Sequence, residues 1–96
     1  MLTKVKTYLR ISHSALDDDL NDTIAACLQD LAIYGVQVPA PDDQNVDPLI
    51  LNAVKLYCKA EHTDDPDKAA AYRTRYDALK ACLGVASEYK EAAADE

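Results

Sequence analysis

The chain has no tryptophan and no phenylalanine, only two glycines, and ten basic residues against seventeen acidic ones in 96 positions. Each scarcity excludes something. With Gly35 and Gly84 as the only glycines, no glycine-rich loop can wrap backbone amides around a phosphate. The net charge is -7 and the Lys and Arg residues are scattered, so the clustered basic footprint that holds a nucleic-acid backbone is missing and free duplex DNA should be repelled. No stretch approaches the ~20 apolar residues of a membrane span. The opening MLTKVKTYLR holds no apolar run suited to a signal peptide, which points to a product made in the cytoplasm without an address label. The three cysteines, Cys27, Cys58 and Cys82, are odd in number and widely spaced, which does not make a disulfide framework. Each falls among apolar residues of a different predicted helix and reads as a small buried hydrophobe in a reducing compartment. Tyrosine supplies all the aromatic area. Each of the six phenols needs a partner or a route to water, which places the rings at the core boundary or in an interface.

What is present is a globular composition, 49% apolar beside 28% charged, in a chain short enough to be one domain over 1–96. A domain of this size buries roughly 60 to 70% of the surface that its unfolded chain exposes. The stretch 47–62, DPLILNAVKLYCKAEH, organises the rest. Asp47 can accept from the free amides of a first helical turn, and Pro48 suits the first helical position because it has no amide to leave unpaired. The following apolar positions cover most of the cylinder and leave Asn52, Lys55 and Lys59 on one narrow stripe. A helix of that kind is buried from more than one side, so it is the expected central helix of an all-α bundle of about four helices.

Before it, Leu2, Val5, Tyr8 and Leu9 recur at helical spacing, giving a short first helix with Lys4, Lys6 and Arg10 facing away. Ser14 followed by Asp17 reads as a capping-box-like start for a second helix beginning near Ala15. Its stripe is Leu16, Leu20, Ile24, Cys27, Leu28, Leu31 and Tyr34, and Gly35 follows as the left-handed terminator. The segment 36–46, VQVPAPDDQNV, has two prolines, an acidic pair and no helical period. It is a long loop for so small a protein, and reads either as a contact surface or as a spacer that sets the angle between its flanking helices. After the central helix, Asp65 and Pro66 repeat the cap logic for a fourth helix to about Leu83, with Ala69, Tyr72, Tyr76, Leu79 and Leu83 inward and Lys68, Arg73, Arg75, Asp77 and Lys80 outward. Gly84 is expected to end or weaken it. The C-terminal tail, closing in KEAAADE, consists of good helix formers with little to bury and should fray unless a partner orders it.

Cys58 and His62, four residues apart on one helix face, could supply two zinc ligands, but no second Cys/His pair accompanies them and the other histidine, His13, is remote. A buried thiol beside a helix-end histidine is the simpler reading, and no orienting third group marks them as nucleophile and base. The acidic clusters at 17–19, 42–43 and 64–65 lack the alternating spacing of a calcium loop. Two of them stand where helices begin, so they read as solvated caps. No metal, cofactor or catalytic residue is expected, and the chain does not read as an enzyme.

The order of segments goes further than composition. LTKVKTYLRIS, DDDLNDTIAACLQDL, the Pro/Asp loop, DPLILNAVKLYCKAEH and DPDKAAAYRTRYDALKACLGVASEY together resemble the phage head-tail connector family, whose members are also described as head-completion or DNA-packaging proteins. The most telling parts are 5–11, 47–58 and the run 72–83 around YDALK. The resemblance implies a non-enzymatic virion protein, made in the host cytoplasm and placed at the head-tail interface. There it would form a ring, plausibly dodecameric, below the portal protein, extending the DNA channel and carrying a stopper or tail-completion protein. DNA would pass through without specific binding. The expected partner contacts are Val36, Gln37, Val38, Pro39, Pro41, Asp42, Asp43 and Gln44 of the loop, with Glu88, Tyr89, Lys90 and Glu91 of the tail. The alternative is a small helical regulator of helix-turn-helix type, weakened by the lack of a basic recognition helix.

Overall fold

Four helices form where apolar periodicity and capping chemistry agree: α1 (Leu2–Leu9), α2 (Asp17–Ile33), α3 (Pro48–His62) and α4 (Pro66–Val85). The computed structural model describes residues 1–43 and 45–86, and among them there is no β-strand. α3 is the centre, packed against each of the other three helices. Its Ile50, Leu51, Ala53, Val54, Cys58 and Ala60 are buried, while Leu49 stays 43% exposed beside the N-terminus. One apolar core joins Ile50, Leu51, Ala53, Val54 and Cys58 to Val5 of α1, to Leu20, Ile24, Cys27, Leu28 and Leu31 of α2, and to Tyr76 and Leu83 of α4.

Two starts follow the expected chemistry. Asp47 accepts from the Leu49 amide at 2.8 Å. Asp65 accepts from the amides of Asp67 and Lys68 at 2.9 and 3.3 Å, and a proline follows each cap. The start of α2 departs from the capping box. The helix begins at Asp17, two residues later than expected, and Leu16 at its cap position offers no side-chain hydrogen bond. Ser14 contributes its backbone carbonyl, accepting from the Asp17 amide at 3.1 Å, so a tight turn and three acidic residues serve the first turn in place of a hydroxyl cap.

The ends divide similarly. α2 closes as the glycine predicts: Gly35 has φ 101°, its amide donates to the Ala32 carbonyl, and the Val36 amide reaches back to Leu31. α1 closes with the same pair of bonds, Arg10 to Thr7 and Ile11 to Lys6, but with Arg10 in the left-handed conformation at φ 61°. No glycine signalled that turn. Gly84 does not itself end α4, which runs one residue further to Val85. A Cβ there would collide with the Tyr34 ring, so the missing side chain admits the tyrosine that caps the end of α2. Cys82 also corrects its expectation: it is exposed, whereas Cys27 and Cys58 are wholly buried.

Candidate functional site

The loop between α2 and α3 is a strap pinned at both ends. Val36 is 0% and Val46 9% exposed, both within the core, and Val38 packs against it. The physical reason is local: once Gly35 has turned the chain, alternate valines can point inward while the residues between them point out. The Asp43 amide closes a turn on the Ala40 carbonyl at 3.1 Å, and the Asp43 side chain accepts from the Asn45 amide at 2.8 Å. Of the loop residues expected to meet a partner, Gln37, Pro41 and Asp42 are exposed, Val38, Pro39 and Asp43 are half-buried, and Val36 faces the core. Gln44, Glu88, Tyr89, Lys90 and Glu91 lie outside the described residues. The strap has a shallow groove on each side. One is bounded by Gln37, Val38, Pro39 and Ile50, and the other runs between its turn at Pro41 and Asp42 and the start of α1.

A second feature was only half legible in the sequence. All five described tyrosines carry a cationic side chain within 6 Å of the ring centre. Arg73 covers Tyr57 at 4.8 Å and pairs with Glu61. Lys80 stands over Tyr34 and Tyr76 at 5.2 and 5.5 Å. Lys55 and Lys59 reach Tyr8 at 5.7 and 5.8 Å, and Lys59 also reaches Tyr72 at 6.0 Å. Arg73 and Lys80, expected to point outward, instead fold back onto aromatic faces, where the ring quadrupole attracts them and their stems cover apolar surface.

The most buried of these rings anchors α4 to α2. Tyr76 is 1% exposed, meets Tyr57 edge-on at 5.1 Å, and donates to Asp30 Oδ2 at 2.6 Å. The same oxygen receives Lys80 Nζ at 3.1 Å. Burial alone would raise the Asp30 carboxyl, but the Tyr76 and Lys80 hydrogen bonds outweigh it and hold the group below its ordinary value. Burial, and then the bond to that carboxylate, push the Tyr76 phenol upward, so it stays protonated and remains the donor. The need for a partner was readable from the tyrosine; that Asp30 supplies it was not, because one acidic residue on a mostly polar face carries no distinguishing spacing.

The two buried cysteines are poor nucleophiles. Burial pushes the Cys27 and Cys58 thiols up to about 12, which leaves them protonated at neutral pH. His62 does not complete a metal pair: its Nε2 lies 3.2 Å from the Thr23 hydroxyl on α2. Among the described residues, no group of three or more His, Cys, Asp or Glu side chains could hold a metal ion, and no helix is long and apolar enough to cross a membrane. Lys6 and Asp17 pair at 2.8 Å and tie α1 to the start of α2. These polar contacts fasten helices together: Thr23 with His62, Asp30 with Tyr76 and Lys80, and Lys6 with Asp17.

A family model described as phage connector protein matches residues 1–90. No curated protein and no solved structure matches the chain.

Proposed function

Because the chain belongs to the phage connector protein family, we propose that its copies assemble as a ring beneath the portal, extend the DNA channel and present a platform to a stopper or tail-completion protein. A phage structural connector role follows from the family itself, and the proposal adds the ring, the portal and the stopper to it. The match over residues 1–90 carries it, since it takes in all four helices and the strap. The physics is compatible. A surface with net charge -7 suits a channel through which DNA must slide without sticking. A ring needs one face of a subunit to meet a different face of the next, and a strap anchored at Val36 and Val46 can hold Gln37, Pro41 and Asp42 outward at little cost in ordering.

The test is retention on purified portal rings. The full chain is expected to co-purify with portal and to appear by electron microscopy as an added ring, and Asp42→Lys combined with Pro41→Glu is expected to reduce retention with an unchanged circular dichroism spectrum. A full chain that portal never retains would overturn the reading.

A further inference from the structure

The fold sorts charge onto two faces. Between Arg10 and Lys55 the chain has eight aspartates and no Lys or Arg, and that stretch builds α2 and the strap. The cations of the described residues therefore stand along α1, α3 and α4. α2 buries its stripe from Leu20 to Leu31 against α1 and α3. Successive helical residues turn by about 100°, which sets Asp18, Asp22, Ala25 and Gln29 opposite that stripe as a ridge, and all four are exposed. The same rotation on α3 sets Asn52, Lys55 and Lys59 away from the buried Ile50, Val54 and Cys58. There a groove opens between α1, α3 and α4. Leu56 and Leu79 form its floor and pack against the core, while the Tyr8 ring steers both lysines.

Neither face is neutralised from within. Among the described residues the ion pairs involve Lys6, Arg73 and Lys80, so Lys55 and Lys59 have no carboxylate within ion-pair distance, and Asp18 and Asp22 have no cation. Asp64 shares a neighbouring hollow with Lys59 and does not pair with it. One copy cannot bring the two faces together, because α2 packs on the buried side of α3 and its ridge points away from the groove. We propose that the α1–α3–α4 groove of one copy seats the outer ridge of α2 from a second copy, with Asp18 and Asp22 against Lys55 and Lys59.

Spacing, shape and preorganisation agree with that contact. Lys55 and Lys59 are one turn apart on α3, as are Asp18 and Asp22 on α2, so each pair presents its charges about 6 Å apart and both ion pairs form in one register. Past the aspartates the ridge narrows to Ala25 and Ala26, both exposed, which lets the helix approach the floor of Leu56 and Leu79 closely. Lys55 and Lys59 are half-buried and already held over tyrosine rings, so docking orders them little further. Each copy offers one ridge and one groove, which is the head-to-tail geometry that a ring requires. The proposal rests on the connector reading only in taking this contact to repeat around a ring; the contact itself rests on the complementary faces.

The experiment is sedimentation velocity of the full chain, without portal, across a concentration series at low salt. One variant reverses the groove (Lys55→Glu with Lys59→Glu) and another reverses the ridge (Asp18→Lys with Asp22→Lys). Wild type is expected to associate with rising concentration, less so at high salt. Each variant alone should associate about tenfold or more weakly, since like charges then meet. An equimolar mixture of the two should regain association, because the reversed ridge fits the reversed groove and the native ridge fits the native groove. Asp18 and Asp22 are exposed, so the ridge variant decides the matter if the groove variant does not fold. Wild type that stays monomeric, a ridge variant that associates like wild type, or a mixture of folded variants that restores nothing would each overturn the docking. All three leave the connector reading standing if portal still retains the full chain, and only loss of that retention removes it.

Discussion

Glycine 84 shows how one residue can look like punctuation and act as space. Inside α4 it gives up the helix propensity of alanine, worth ~1 kcal/mol, and in return the Tyr34 ring lies against the helix backbone. The consequence is a measurable coupling. In a Tyr34→Ala background, Gly84→Ala should stabilise the fold by ~1 kcal/mol, whereas with Tyr34 present the gain should vanish because the ring must move. Urea unfolding of the four proteins checks this, and an equal gain in both backgrounds would mean that Tyr34 does not need the glycine. Arg10 is the complementary case. It occupies a left-handed position that favours glycine, and nothing in its side chain announces the fact.

At the scale of elements, the helices differ in what starts them. Asp47 and Asp65 each accept from first-turn amides, so Asp47→Ala and Asp65→Ala are expected to cost ~1 kcal/mol apiece. Ser14→Ala should be nearly silent, since Ser14 serves α2 through its backbone carbonyl. Chemical denaturation of the three variants tests the distinction; a loss at Ser14 as large as at Asp65 would mean that its hydroxyl caps the helix after all. The strap obeys a related rule. Val36 and Val46 fix its ends in the core, while Gln37, Pro41 and Asp42 reach solvent.

For the whole molecule, the buried ionisable groups set the pH range of stability. Cys27 and Cys58 have folded-state values raised from 9.0 to about 12. Their contribution is complete below pH 9 and is lost as pH rises toward 12, because the unfolded chain releases those protons first. The expected fall is ~1 kcal/mol per pH unit for each thiol, with Tyr57 and Tyr76 adding to it above pH 10. Asp30 acts at the other end. Its folded value lies below the ordinary 3.8, so its contribution is present above that pH and disappears as the solution becomes more acidic. Urea midpoints from pH 3 to 11 should trace a plateau with both shoulders, and Cys27→Ala with Cys58→Ala should flatten the alkaline one; an unchanged alkaline slope in that variant would count against the buried thiols.

By itself the sequence determined the helical class, the two Asp-Pro starts, the Gly35 stop, the central place of 47–62 and the family resemblance, because each is encoded by residues within a few positions of one another. Only the tertiary structure decided that Tyr76 finds Asp30, that Gly84 makes room for Tyr34, that Cys82 stays outside, and that Lys55 and Lys59 gather with Tyr8 and Tyr72 along one groove. Those outcomes depend on which helix faces meet, a choice made by the whole core at once. A local pattern can show that a side chain needs a partner, but the packing of the other helices selects which one it finds.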